Sequence, residues 1–429
     1  MAETAGKLQT DLGERSTYDA ASQCSRCGYC EQSCPTYVAT AREPLSPRGR
    51  NQIVRLMLEG RVPDKESVKE ALSTCLLCGA CSTACYARVP TADIVLEGRR
   101  MLESEAPLIA RILGRLAIRR PRLLAVLLKI GYAFKRAGIS RLGRPFLRAA
   151  GLGALAEADA SMDEAPREFL SDALGRRPAP ENPAWFYFAA CGPNYVLPRV
   201  GLATWAVLEN RLGPGRFLNN ACCGLLSYNY GTMADARDAA IRAIGRWEAL
   251  GNKDAPVVAD CSSCADFLKR YPRLFLDDAA WKARAEAFSA RVRDVIELVG
   301  TEAAPARDEA PLVYHESCRA RHGQGLAAPQ ELLRRACGES YKALPESDVC
   351  CGGAGAFSFL HPELSDEVLR RKISNVARSG AQVVLASSTS CLLQLARGLR
   401  KYYPQARAFH LTEFLAQSPA QNDGTKTRT

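Results

Sequence analysis

The chain has 429 residues, 47% hydrophobic and 24% charged, with a formal net charge of +11 at neutral pH. That length exceeds what one hydrophobic core organises, so two to four domains of ordinary soluble composition are expected, and no apolar run approaches the roughly 20 residues of a membrane span. Eighteen cysteines without the apolar stretch of a secretory leader near the start argue against a disulfide framework and for reduced thiols on metal in a cytoplasmic protein. Any membrane contact is expected to be peripheral, on the inner face.

Residues 1–17 are polar and read as a flexible N-terminus. The next unit, 18–103, carries Cys24-Ser-Arg-Cys27-Gly-Tyr-Cys30-Glu-Gln-Ser-Cys34-Pro35 and its echo at Cys75, Cys78, Cys81 and Cys85. Four-ligand zinc has no need of a third cysteine two residues on, and still less of having it twice. The spacing C-x2-C-x2-C-x3-C resembles the bacterial ferredoxin run, in which three close thiolates grip one cluster and the fourth crosses to the other. That resemblance implies two 4Fe-4S clusters, one on Cys24, Cys27, Cys30 and Cys85 and the other on Cys75, Cys78, Cys81 and Cys34. Tyr86 stands where the first run has Pro35, so the cluster held partly by Cys85 is expected to be the more exposed. Between the runs, Ser46-Pro47 opens a helix with Ile53, Leu56 and Met57 inward and Gly60 as its stop, and Asp64 caps a second with Val68 and Leu72 inward. Helices in place of hairpin strands predict the all-helical ferredoxin type.

Residues 104–180 read as a basic helical linker. From 99 to 148 thirteen Lys and Arg face only Glu103 and Glu105, a local net of +11. Leu108, Ile109, Ile112, Leu113 and Leu116 alternate with Arg111, Arg115 and Arg119 at helical spacing, and Leu123 to Phe134 forms a second apolar run. Two readings stay open: a basic amphipathic helix on an anionic membrane surface, or a linker packed on its own domains or a partner with its arginines solvated. No base-reading module or interleaved aromatic residues accompany the charge, so nucleic acid is not an expected partner.

From about 181 the chain repeats itself. Trp185-Phe-Tyr-Phe-Ala-Ala-Cys191 and Leu312-Val-Tyr-His-Glu-Ser-Cys318 are buried-strand patterns ending in cysteine, Cys222-Cys223-Gly224 recurs as Cys350-Cys351-Gly352, and Cys261-Ser-Ser-Cys264 recurs as Ser388-Thr-Ser-Cys391. The pairs Cys191/Cys318, Cys222/Cys350 and Cys264/Cys391 lie 127, 128 and 127 residues apart, so one structural unit is used twice. Helical patterns at Ala234 to Leu250 and Leu364 to Ala377 separate the strands. Each repeat is therefore expected to be an α/β unit with its cysteines at the carboxyl ends of strands. The units are bounded at 181–303 and 308–418, with 419–429 a flexible tail.

The set C-x30-C-C-G-x36-C-x2-C resembles the Cys-Cys-Gly domain of heterodisulfide reductase. The whole chain resembles the iron-sulfur subunits of bacterial glycolate and lactate oxidation complexes and of anaerobic glycerol-3-phosphate dehydrogenase, over roughly residues 20–418. The fold so implied is an α-helical ferredoxin domain followed by a helical basic linker and two repeated α/β Cys-Cys-Gly domains. In heterodisulfide reductase the five-cysteine set holds a noncubane 4Fe-4S cluster, which here would fall on Cys191, Cys222, Cys223, Cys261 and Cys264. The second set is Cys318, Cys350, Cys351 and Cys391, with Ser388 in place of a thiol. It holds either a different centre, zinc or a smaller cluster, or is a structural remnant. Of the four histidines, His322 near Cys318 is the one weighed as a ligand, against an ordinary packed or solvated role, and a Cys/His hydrolase has no marked oxyanion hole. Cys337 reads as a small apolar residue in a helix.

The glycine clusters Gly352-Gly353-Ala354-Gly355 and Gly151-Leu-Gly153 lack the spacing and context of a dinucleotide fingerprint, and there is no P-loop. With no flavin or nucleotide motif, the chain is expected to conduct electrons and to need a partner. The expectation is an electron-transfer subunit of an oxidoreductase complex, with no dehydrogenase activity alone. It would join a flavin-containing dehydrogenase of a 2-hydroxy acid to a quinone or other carrier. The alternatives are a heterodisulfide reductase-like thiol-disulfide reductase and a zinc-bound scaffold. The five-thiol first repeat is expected to carry the redox chemistry, and the second mainly stability.

Overall fold

The computed structural model describes residues 7–10, 13–61, 64–102, 108–149, 165–230, 233–299 and 310–416, with isolated positions between 153 and 162. The expected boundaries at 104–107 and 303–308, Glu103, Glu105, Gly151 and the tail 419–429 lie outside the described residues.

A two-stranded antiparallel hairpin, β1 (Lys7–Thr10) and β2 (Gly13–Ser16), comes first. Over the described residues of 1–17 this corrects the flexible N-terminus: Leu8 is buried in the ferredoxin core with Ala20 and Ala21 of helix α1 (Thr17–Ser22), which anchors the strand pair. After α2 (Pro35–Thr40), α3 (Pro47–Leu58) starts where Ser46 accepts a hydrogen bond from the Gly49 amide, with proline at its first position, and α4 (Lys65–Ser73) starts where Asp64 accepts from the Glu66 and Ser67 amides. These caps satisfy amides that a helix start otherwise leaves without partners. After the short α5 (Ala80–Thr83), Val54, Val68 and Leu72 meet Ile94 and Val95 of α6 (Thr91–Met101), and Gly98 lets that helix close in, since a Cβ there would stand 2.7 Å from Val54 and 2.8 Å from Leu72. The unit is helical around its cysteine runs, as the pattern between the runs predicts.

Three helices follow: α7 (Leu108–Arg119), α8 (Pro121–Arg136) and α9 (Ile139–Ala149). Arg115 pairs with Asp235 at 2.9 Å, and Arg119 with Asp235 and Asp238. The Cys222 amide donates to the Ala117 carbonyl. Arg115 and Arg119 of α7 thus reach acidic residues of the first repeat.

Two all-parallel sheets make up the rest. One is four-stranded in the order β4 (Gly215–Phe217), β3 (Trp185–Phe188), β5 (Val257–Ala259), β6 (Val292–Asp294); the other is three-stranded in the order β7 (Leu312–His315), β8 (Val383–Ala386), β9 (Arg407–His410). β3 and β7 are buried at every position, as strands covered by helices on both faces must be. One apolar cluster runs through both repeats, joining Trp185, Tyr187 and Trp205 to Leu312, Tyr314, Leu411 and Phe414. The repeats therefore share a core. The helices between landmarks span Met233–Glu248 and Pro362–Ser379, each within two residues of its expected bounds. Cys337 closes the helix Gln330–Cys337, buried.

Candidate metal centres

All eighteen cysteines are free of disulfides, and two of them, Cys27 and Cys191, are exposed. In the ferredoxin unit both runs bend the same way. Arg26 and Gly28 have φ of 63° and 89°, and Leu77 and Gly79, at the same places in the second run, have 53° and 81°. Left-handed residues at these points curl the backbone around its sulfurs, and the Leu77 amide donates to Cys75 Sγ at 3.4 Å. Cys85 stands near Cys30 of the first run, and Cys34 near Cys78 and Cys81 of the second. Burial, then neighbouring Cys24 and Cys85, push the Cys30 thiol up to about 11. Burial, then Cys75 and Cys34, push up Cys81. Four thiolates so crowded repel one another unless cations sit among them, which fits an iron-sulfur cluster in each group.

The two groups differ in surroundings. Cys27 is exposed beside the exposed Tyr29 and Tyr86, whose rings meet edge to face at 5.4 Å. Cys34 is buried against Arg50, itself 1% exposed. The Arg50 guanidinium donates to the Ala71 carbonyl at 2.8 Å and to Thr36 and Thr74 Oγ1 at 3.2 Å each, with Nη1 3.7 Å from Cys34 Sγ. A cation beside a buried sulfur offsets the negative charge of a thiolate-bound cluster. The sequence reading did not single out Arg50, because its signal, an inward position on α3 (Pro47–Leu58), is ordinarily read as a solvated arginine.

In the first repeat, Cys191 opens a short helix after β3, Cys222 and Cys223 precede Gly224 at φ 90°, and Cys261 and Cys264 begin the helix Ser262–Lys269 after β5. Cys223 and Cys264 sulfurs share a hydrogen bond at 3.4 Å, and Cys191 bonds to Cys222. Cys264 first, then Ser388 and nearby amides, bring the Cys261 thiol down to about 5, against the burial that opposes them. The structure thus brings all five predicted cysteines together. The other thiols divide: hydrogen bonds from Cys222 and Cys264 bring Cys223 down as well, while Cys191, Cys222 and Cys264 are held up by their thiol neighbours and burial. Five clustered sulfurs of this kind suit a thiophilic metal cluster.

In the second repeat, contacts run from Cys318 to Cys350, Cys351 and Cys391. Ser388 faces the first repeat, 3.3 Å from Cys261 Sγ. The two sites therefore adjoin across a pseudo-symmetric seam. Ser262 donates through its amide to the Ser387 carbonyl, Tyr187 bonds Asp260, Tyr314 bonds Ser387 in the equivalent way, and His410 reaches the Asp260 carbonyl at 2.9 Å. His322 is not among the thiols. Its nitrogens contact Thr83 Oγ1 and the Asp348 carbonyl, each at 3.2 Å, at the seam with the ferredoxin unit. His315, by contrast, lies with Cys351 and Cys391.

The second ferredoxin run is seated against the second repeat. Leu76, Cys350 and Phe357 form one buried cluster with Cys78 and Cys318 on its edge. Burial, then Cys318, Cys81 and Cys34, raise the Cys78 thiol. The thiols that this run meets are those of the second repeat, the one expected to serve mainly stability, with the first repeat expected to carry the redox chemistry. Beside it, Asp266 of the first repeat, with its side chain 1% exposed, ties the two repeats at their junction by pairing Arg270 at 2.8 Å and Arg319 of the second repeat at 3.0 Å.

Residues 20–89 match the family model of a 4Fe-4S dicluster domain, and residues 185–269 and 312–396 each match that of a Cysteine-rich domain. The chain is 27% identical to the probable glycolate oxidase iron-sulfur subunit of Bacillus subtilis, over 96% of this chain and 97% of that one. It is 26% identical to the glycolate oxidase iron-sulfur subunit of Escherichia coli, over 87% and 89%. It is 30% identical to lactate utilization protein A of an Exiguobacterium species, over 56% of this chain and 97% of that one.

Proposed function

Because this chain belongs to the family of the glycolate oxidase iron-sulfur subunits and lactate utilization protein A, we propose that it is the electron-transfer subunit of an oxidoreductase complex. It takes reducing equivalents from a separate flavoprotein that oxidises a 2-hydroxy acid, glycolate or lactate, and delivers them to a quinone or another carrier. Dehydrogenase activity is assigned to the partner.

The observation that carries this reading is the order of the thiol groups. One end is the exposed Cys27, grouped with Cys24, Cys30 and Cys85. Next come Cys75, Cys78, Cys81 and the buried Cys34, then the second repeat at Cys318 and Cys350, and across the Cys261–Ser388 contact the first repeat, ending at the exposed Cys191. Bound at these groups, iron-sulfur clusters supply one-electron carriers whose potentials follow charge, hydrogen bonds and exposure. The chain's own residues set those surroundings. Arg50 compensates charge at Cys34, Leu76 and Phe357 keep water from the junction, and Tyr29 and Tyr86 offer a rigid aromatic surface to the flavoprotein.

At the other end α8 lies beside Cys191, its Tyr132 hydroxyl donating to the Tyr195 carbonyl at 3.0 Å. On the outer side of α8, Leu123, Val126, Leu127, Ile130 and Phe134 are each about half exposed. Residues 108–149 contain no acidic residue among their arginines and lysines. An apolar face set among cations alone suits an anionic lipid surface. Docked there, the Cys191 end would face the phase in which a quinone dissolves.

A disulfide reductase at Cys191 is the second reading, favoured by the exposure of that residue at the surface. Anaerobic affinity purification followed by substrate addition separates the two. The expected result is a co-purifying flavoprotein, with glycolate or lactate bleaching the iron-sulfur absorbance only when it is present. Turnover of a thiol-disulfide substrate without any flavoprotein would transfer the assignment to the reductase.

A further inference from the structure

The last residue of β3 is Phe188, paired with Ala259, and the last residue of β7 is His315, paired with Ala386. Both partners are 127 residues apart, the offset of the cysteines, so His315 occupies in the second repeat the place of Phe188 in the first. Phe188 packs in an apolar cluster. His315 is fully buried, and neither of its ring nitrogens has a hydrogen-bond partner. The Ser347 backbone lies alongside the ring without meeting hydrogen-bond geometry. A buried imidazole has an N–H and a lone pair to satisfy, and leaving both unmet is costly. What stands in reach of the ring is sulfur: one His315 nitrogen, Cys351 Sγ and Cys391 Sγ all lie within 4.8 Å of one another.

The same comparison explains the missing thiol. The first repeat has Phe188 and Cys261; the second has His315 and Ser388. One ligand-bearing residue is lost at the helix start and another is gained at the strand end, so each repeat keeps five side chains able to bind a thiophilic metal. Cys351 and Cys391 approach from the glycine turn and the helix Thr389–Tyr402, and Cys318 and Cys350 stand beside them. Ser388 is turned away, toward Cys261.

We propose that His315 is a metal ligand of the second repeat, completing with Cys351 and Cys391, and with Cys318 and Cys350 beside them, a mixed imidazole-thiolate centre. Imidazole and thiolate together suit zinc or a cluster iron. A histidine in place of a thiolate on a cluster iron raises its potential, which would set this centre apart from the all-thiolate group of the first repeat. The ligand assignment does not depend on the partner or on the electron path.

The test is X-ray absorption at the iron and zinc edges of the anaerobically purified chain, with metal analysis and nitrogen hyperfine spectroscopy on protein carrying 15N-histidine. The wild type is expected to show one nitrogen ligand at iron or at zinc, and the edge at which it appears identifies the metal. His315→Phe is expected to lose that nitrogen and the metal of this site while the signals of both ferredoxin-run clusters persist. His315→Phe with Ser388→Cys, which carries the ligands of the first repeat, is expected to regain the metal with sulfur alone. A wild type with only sulfur ligands, or a folded His315→Phe with unchanged metal content and ligand shell, overturns the proposal. Should His315→Phe not fold, the wild-type ligand shell decides alone. Loss of the flavoprotein interaction would leave these readouts untouched.

Discussion

Replacing Arg50 with methionine keeps most of the side-chain volume but deletes a buried guanidinium that donates to Ala71, Thr36 and Thr74 and lies 3.7 Å from Cys34 Sγ. Hydrogen bonds from a charged donor contribute about 1.5–3 kcal/mol each. The losses here fall at the lower end, because the Ala71 carbonyl also accepts from Thr74 at 3.1 Å and Thr36 Oγ1 keeps Cys34 Sγ at 3.3 Å. Three bonds near that lower value, offset in part by no longer holding a cation away from water, leave a net destabilisation of about 2–3 kcal/mol. The second effect is electrostatic. A unit charge roughly 6 Å from the centre of a cluster, at an effective dielectric of about 20, interacts by ~3 kcal/mol, so its removal lowers a one-electron potential by on the order of 100 mV. The cluster bound by Cys34 should feel this most, and the other less, as its distance from Arg50 is greater. Anaerobic potentiometric EPR titration and the midpoint of denaturant unfolding measure the two effects, and Arg50→Lys, which keeps the charge but not the fork, should lose stability while holding most of the potential. Equal shifts in both clusters, or a shift confined to the cluster perturbed by Cys27→Ser, would refute the reasoning.

The crossed ligand assignment proposed for the two runs predicts that Cys34→Ser and Cys78→Ser alter one EPR signal and Cys27→Ser another; a common signal for Cys34→Ser and Cys27→Ser would reverse the assignment. Asp266→Ala leaves Arg270 and Arg319 without their shared carboxylate. Breaking a buried pair costs about 3–5 kcal/mol, and because Arg270 keeps some access to water the lower figure is expected, read as a fall in unfolding midpoint; a change under about 0.5 kcal/mol, the level of an ordinary surface substitution, would show that the junction does not rest on this network. Flotation with anionic vesicles at low salt should recover the wild type, weaken as salt rises, and fail for Leu127→Glu; equal binding to neutral vesicles, or none at low salt, would return α8 and α9 to the linker reading.

What the sequence made legible was local or repetitive. Ser46 and Asp64 cap helices because their side chains meet amides three residues away, a relation that short spacing alone encodes. The 127-residue offset revealed two α/β units, and it also aligned His315 with Phe188, a comparison that would have marked His315 in place of His322. The hairpin of β1 and β2 left little trace: its residues are mostly polar, and Leu8 is its buried anchor. The docking of the second run on the second repeat is a long-range contact, yet one signal was present. The first run reads Cys-Ser-Arg-Cys and the second Cys-Leu-Leu-Cys, and Leu76 and Leu77 are the buried ones. The basic segment divided in a way that charge alone could not show, with Arg115 and Arg119 of α7 paired to Asp235 and Asp238 and the apolar side of α8 left outward.

The relay from Cys27 to Cys191 is tested most directly by breaking it in the middle. In the complex with its flavoprotein, Cys78→Ser should leave the cluster on Cys24, Cys27, Cys30 and Cys85 reducible by glycolate or lactate, observed by EPR, while reduction of the quinone is lost. Quinone reduction at the wild-type rate in a Cys78→Ser complex whose second cluster is absent would contradict it.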